Sequence, residues 1–155
     1  MEELIKRLEE KGINVEDLLI NALAKEDPQE GIKLRVSLAE KYMSEAEEYV
    51  KKGDVVQASE KVYKVAEEVI KALSEKFNLQ EYQQAIREGR WYTYLLVSAS
   101  EVLSTKLGDW VIDGWSSAYI LHVWGFHEGK LPINRIEGYI SKVRKMLEEA
   151  KKKLY

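Results

Sequence analysis

Apolar positions along the chain recur every three or four residues, the spacing that lines one face of an α-helix. Strand signatures, alternating runs of Val, Ile and Thr between turn dipeptides, are missing, and threonine occurs only at positions 93 and 105. A first helix is predicted over 2–11, closed by Gly12. Asn14, with Asp17 three residues on, opens a short helix that ends near Ala24. Asp27-Pro28-Gln29-Glu30 combines a capping aspartate, a proline suited to the first helical position and a glutamate able to reach back. The helix it opens is predicted to run to Lys52, with Ile32, Leu38, Ala39, Tyr42, Ala46, Tyr49 and Val50 as its apolar stripe. Gly53 ends it, and Asp54, with Gln57 at the third position, caps the next. That helix carries Val55, Ala58, Val62, Val65, Ala66, Val69, Ile70 and Leu73 on one side. So short a turn forces an antiparallel αα-hairpin. Glu47–Lys51, Glu48–Lys52, Glu60–Lys64 and Glu67–Lys71 stand four apart and are expected on its outer faces. Each such pair contributes only about 0.2–0.5 kcal/mol.

Residues 79–88 form a further short amphipathic helix ending at Gly89, and 90–107 another, with Trp91, Tyr94, Leu95, Val97 and Leu103, before Gly108 and Asp109 break it. Residues 110–126 are apolar nearly all round, the pattern of a helix buried on most sides. Gly129 ends that segment, and Pro132 opens a last helix with Ile133, Ile136, Ile140, Val143 and Leu147 on its stripe. The sum is an all-α single domain over 1–155, a bundle of seven or eight helices around the hairpin. Two short helices in 1–26 are added to a bundle over 28–155. The hairpin at 37–77 is like one tetratricopeptide unit, but no repeat at that period of about 34 residues follows, which excludes a solenoid.

A chain of 155 residues can bury roughly 69% of its unfolded surface, enough for an independent core. Its 24 basic and 27 acidic residues give a net charge of −3, which argues against a generic nucleic-acid coat. A hydrophobic share of 45% and a charged share of 33% exclude disorder. The absence of cysteine excludes a disulfide framework, a thiolate zinc site and a cysteine nucleophile. Met1-Glu2-Glu3-Leu4 carries neither the basic nor the apolar region of an export signal. The greasiest stretch, Trp110 to Phe126, is interrupted by Asp113 and is shorter than the roughly 20 residues of a membrane helix. The expectation is a soluble, cytoplasmic protein with no membrane partner, and its Lys/Glu richness fits a thermophile. Residues 1–50 hold 13 acids and 7 bases, whereas Lys142, Arg144, Lys145, Lys151, Lys152 and Lys153 make the last helix basic at its end, where cations complement the macrodipole.

Few residues carry candidate chemistry. His122 and His127 are the only histidines. Five residues around an unbroken α-helix turn through about 140°, so the two cannot address one metal. Glu128 completes a two-His-one-carboxylate set only if Gly125 or Gly129 breaks the helix. With no His-Glu-x-x-His motif either, no metal and no cofactor is assigned. His122 is expected as a packed histidine with its ring N–H on a backbone carbonyl. Trp110, Trp115 and Trp124 stand at helical spacing with Tyr119. They form a core stripe or, because three tryptophans exceed what so small a core usually needs, part of an interface. Tyr63 is expected at the edge of the hairpin core. Asp109 and Asp113 read as a cap and a first-turn acid.

Two segments resemble a known family. One runs from Leu38-Ala39-Glu40-Lys41-Tyr42 through Glu45-Ala46 and Lys52-Gly53-Asp54-Val55-Val56-Gln57-Ala58-Ser59-Glu60-Lys61 to Ala66 and Ile70-Lys71-Ala72-Leu73. The other runs from Trp110-Val111 and Trp115-Ser116-Ser117-Ala118 through Leu121-His122-Val123 and Phe126-His127-Glu128-Gly129 to Leu131-Pro132. Both resemble the archaeal PaREP1/PaREP8 family, over roughly residues 35–150, which leaves the helices in 2–25 as an addition. That family is similar in its hairpin core to the HEPN superfamily, four-helix domains that accompany nucleotidyltransferases. The resemblance implies an HEPN-like, up-and-down bundle and a nucleotidyltransferase-type protein as a candidate partner. Many HEPN members are ribonucleases with an Arg-x4–6-His motif, in which the arginine stabilises charge on the phosphate and the histidine moves a proton. In this chain Arg87, Arg90, Arg135 and Arg144 have no histidine four to six residues downstream, and no catalytic residue is assigned.

The leading expectation is therefore a non-catalytic helical module of PaREP1 type that acts by protein–protein association, as a homodimer. One alternative is an HEPN-related RNA-binding protein or ribonuclease, with His122 or His127 assisted by an arginine from elsewhere in the fold and with Arg87 and Arg90 as phosphate contacts. Another is a small-ligand or metal pocket around Tyr119, His122, Trp124 and His127.

Overall fold

The computed structural model describes residues 1–155 and contains eight α-helices and no strand. They are α1 (Glu2–Glu10), α2 (Val15–Glu26), α3 (Pro28–Lys51), α4 (Val55–Lys76), α5 (Gln80–Glu88), α6 (Thr93–Leu107), α7 (Trp110–Ile120) and α8 (Glu137–Leu154). A π-helical segment, Leu121–His127, continues α7, and a short 3-10 turn, Ile133–Arg135, precedes α8. The all-α bundle expected from the apolar spacing is thus what forms. None of its helices is long and apolar enough to cross a membrane.

Local chemistry sets the starts of α2, α3 and α4. The Asn14 side chain accepts the Asp17 N–H at 2.8 Å, Asp27 accepts that of Gln29 at 3.1 Å and Asp54 that of Gln57 at 3.0 Å. Each satisfies one donor that a helix start leaves without an intrahelical partner. Gly53, at φ +73°, reverses the chain between α3 and α4. There the Asp54 N–H bonds back to the Tyr49 carbonyl at 2.9 Å, closing α3 with a Schellman-type turn.

The α3–α4 hairpin is the most extensive helix pairing, and α4 lies at the centre of the bundle, in contact with α3, α5, α6, α7, α8 and the π segment. Its predicted stripe from Ala58 to Leu73 is buried, and so is much of its opposite side. That opposite side brings Glu68 and Lys71 out of water. A neutral quartet compensates them. Arg35 Nη1 of α3 donates to Asp17 Oδ1 of α2 at 2.7 Å and to Glu68 Oε1 at 2.9 Å. Lys71 Nζ meets Asp17 Oδ2 at 2.9 Å and Glu68 Oε2 at 3.4 Å. Burial alone would raise the Asp17 carboxyl, but Lys71 and Arg35 outweigh it and hold the group below its ordinary value. For Lys71 the same competition ends with the ammonium favoured, because Glu68 and Asp17 outweigh burial.

Several expectations need correction. None of the four outer-face pairs forms. Lys71 belongs to the quartet, Glu60 turns to His122, Lys51 reaches Glu48 at 3.3 Å, and Glu47 meets Arg144 at 3.5 Å. Glu47, Glu60 and Lys71 take partners from other helices, against which an isolated helical pair is too weak to compete, while Lys51 takes a nearer glutamate of its own helix. The helix predicted from residue 90 begins at Thr93, and its inward face is Leu95, Leu96, Ala99 and Leu103, while Tyr94 and Val97 face solvent. The last helix begins at Glu137 rather than Pro132, and Ile133 is exposed in the 3-10 turn.

Asp17→Ala leaves Arg35 and Lys71 with one carboxylate between them. It is expected to cost about 3–5 kcal/mol, read as a lower urea midpoint at neutral pH. The wild-type contribution is complete above the unfolded value of 3.8 and is lost as pH falls through the depressed folded value, so the gap between the two proteins narrows in acid.

Candidate functional site

The chemistry-bearing residues of the second half meet where the π segment crosses α4. On α4, Ser59, Glu60 and Tyr63 face this segment. Gly125 presses against them, and a Cβ at that position would stand 2.2 Å from Ser59 Oγ and 2.7 Å from Ser59 Cβ. Only a glycine lets the two backbones approach this closely. The buried Ser59 hydroxyl makes no hydrogen bond to another protein group.

The π register decides the fate of the histidines. Bonding from i to i+5 stacks residues five apart on one face, so the separation of about 140° expected for an α-helix does not arise. His122 Nε2 and His127 Nε2 lie 3.1 Å apart. His122 Nδ1 lies 3.1 Å from Glu60 Oε2, so its ring N–H goes to a carboxylate and not to the backbone carbonyl expected from the sequence. With Glu60 accepting from Nδ1, His122 keeps a lone pair on Nε2, and His127 donates its Nε2–H to it. The tautomers are assigned by this network. Glu60, His122 and His127 form one hydrogen-bonded chain from a largely buried carboxylate to an exposed imidazole.

Aromatic packing holds the first imidazole. Tyr63 stacks on His122 with ring centroids 3.9 Å apart and an interplanar angle of 19°. Trp115, 5.7 Å from Tyr63, backs this pair, and Phe126 flanks His127 at 5.0 Å. Tyr63, expected at the core edge, is buried, and its phenol stays neutral because burial, then Glu67 and Glu60, push its ionisation upward. Glu67, one turn along α4, is itself pushed up to about 7 by burial, against the pull of Lys71 and with Glu68, Glu60 and Asp17 adding to the rise.

The remaining candidates separate. Trp115 is core, and Trp110 is half-buried with its Nε1–H on the Leu107 carbonyl at 3.2 Å. Tyr119 and Trp124 stay 40% and 49% exposed, so of the aromatic stripe only Trp115 belongs to the core. Glu128 does not join the imidazoles, since no third His, Asp or Glu completes a coordinating group. Arg87 is exposed at the end of α5, and the Arg90 guanidinium lies 4.3 Å over the Tyr92 ring and against Gly12. Arg35 is committed to the quartet and Arg144 to Glu47 and Glu137. His122 has Glu60 and His127 as its polar partners and His127 has His122, with no arginine among them. Sequence reasoning missed Glu60 and Ser59, which only the crossing of two distant helices brings to the site. A hint was present in Gly125, a glycine inside an apolar run.

A second feature lies away from the histidines. Between α2 and α3 runs an apolar groove of about 360 Å³, lined by Leu19, Ile20, Leu23, Leu34 and Leu38 with Glu16, Ser37 and Lys41.

The fold and site define a helical bundle built on one long antiparallel hairpin, with a paired-histidine π segment laid across it. The chain belongs to the archaeal PaREP1/PaREP8 family, whose match spans residues 34–147. It is similar to a protein from Sulfolobus solfataricus of known crystal structure, at 42% identity and a TM-score of 0.69, over 76% of this chain and 96% of that one. No curated protein matches it. The family match begins within α3, so α1, α2 and Asp17 of the quartet lie outside it.

Gly125→Ala is expected to destabilise by about 1–3 kcal/mol through overpacking against α4. Adding Ser59→Gly recovers much of the loss in a double-mutant cycle, a coupling that urea melts of the four proteins measure directly. For Glu67 the sign is opposite to that of Asp17. Its folded value of about 7 exceeds the unfolded 4.5, so ionisation erodes stability as pH rises between the two. Glu67→Gln should melt like wild type in acid and be more stable at mildly alkaline pH, by on the order of 2 kcal/mol.

Proposed function

We propose that this PaREP1-type protein is a helical association module that pairs with a second copy of itself through the α2–α3 face. The observation that carries this reading is the surface of α2, where Leu18, Leu19 and Leu23 are 47%, 58% and 43% exposed. A helix covered on one side is expected to be polar on the other, and leucines grouped on its open side mark a surface that a partner can cover. The α2 face that is already covered carries Asp17, Ile20 and Ala24, and the leucines beside it stay about half open to solvent. The groove beside them has the composition of a small interface core, leucines with one acid and one base alongside. A two-fold axis across it would lay Leu19 and Leu23 of each copy against Leu34 and Leu38 of the other, with Glu16 near the partner's Lys41. The aromatic segment 110–126, the surface first expected to mediate pairing, is left with only Tyr119 and Trp124 for such a role.

Light scattering coupled to size exclusion tests the proposal. Wild type should elute as a dimer at micromolar concentration, and Leu19→Glu/Leu23→Glu as a monomer with the same helical circular dichroism. A monomeric wild type overturns the reading.

A further inference from the structure

We propose that His122 and His127 form a two-imidazole site for a first-row divalent transition-metal cation such as Zn²⁺ or Ni²⁺, with Glu60 as the positioning residue behind it. The inference goes beyond association and does not depend on it.

Three observations converge. The two Nε2 atoms are 3.1 Å apart, and ligands about 2.0–2.1 Å from one ion at that separation subtend roughly 100°, between the square-planar and tetrahedral angles. Imidazole nitrogen suits zinc, copper and nickel. Next, Glu60 binds Nδ1 of His122, leaving its Nε2 free on the side of His127, and this carboxylate–histidine arrangement is the usual outer support of a ligating histidine. Finally, π-helical turns are rare and concentrate at functional sites. Here the register is what aligns the histidines, while Tyr63 stacking and Gly125 contact fix it against α4. On binding, His127 carries its ring proton on Nδ1, freeing Nε2 for the ion, so both ligands stay neutral imidazoles and no proton is lost from the pair. The chain supplies only these two ligands, and water or an exogenous anion fills the remaining positions.

Titration calorimetry of the full chain with zinc chloride, and separately with nickel chloride, is the test. One ion per chain in the micromolar range is expected. It should be abolished in His127→Ala, where the truncated side chain is exposed, and a melting curve verifies that this variant folds as wild type does. Glu60→Gln is expected to weaken binding about 10–100-fold. It should also shift the ¹⁵N tautomer signature of His122, which loss of packing alone would not produce. In wild type both Nε2 resonances move on adding zinc. Absence of binding, or binding unchanged in His127→Ala, overturns the proposal.

Discussion

A helix can occupy the centre of a bundle only if every polar group on its buried sides finds a partner, because an unpaired charge out of water costs several kcal/mol. In this protein that constraint falls on α4. Its buried faces carry Glu68 and Lys71 toward one end and Ser59, Glu60 and Tyr63 toward the other. The first set is neutralised from α3 by Arg35 and from α2 by Asp17. The second faces the π segment, where His122 takes the carboxylate and Tyr63 takes the ring. The helices around α4 are thus placed by charge and hydrogen bonding as well as by apolar contact. Removing one member of such a buried pair is costly, even where the whole pair adds little net stability.

This gives α2 a place that its position in the chain would not suggest. It precedes the region matched by the PaREP1/PaREP8 family, yet its Asp17, like Glu68 of α4, bridges both cations of the quartet. The close approach of α2 to α3, where a Cβ on Gly31 would stand 2.7 Å from that of Ala24, seats the carboxylate. An element outside the family match has become part of the interior, and its other side presents the exposed leucines on which the association proposal rests.

The π segment shows how a backbone register can create a site from an unremarkable sequence. His122 and His127 would diverge on an α-helix, and their approach is a consequence of one widened turn. That turn is held by a contact made where no side chain stands, Gly125 on Ser59. The packing of Tyr63 on His122 and the Glu60 hydrogen bond hold the same crossing from the side of α4. Stability and site geometry are therefore coupled through the same crossing.

How much of this was legible in the sequence follows from the range of each interaction. The helical class, the caps at Asn14, Asp27 and Asp54, the Gly53 turn and the hairpin stripe from Ala58 to Leu73 depend on residues a few positions apart, and all were readable from spacing alone. Local spacing was a poor guide wherever a distant partner outcompeted a near one. Lys71 passed over Glu67 for Asp17, Glu60 turned away from Lys64 to His122, and the run 110–126 changed register at Leu121. Each of those outcomes turns on how closely two helices far apart in sequence approach, and side-chain periodicity along one helix holds no information about that distance.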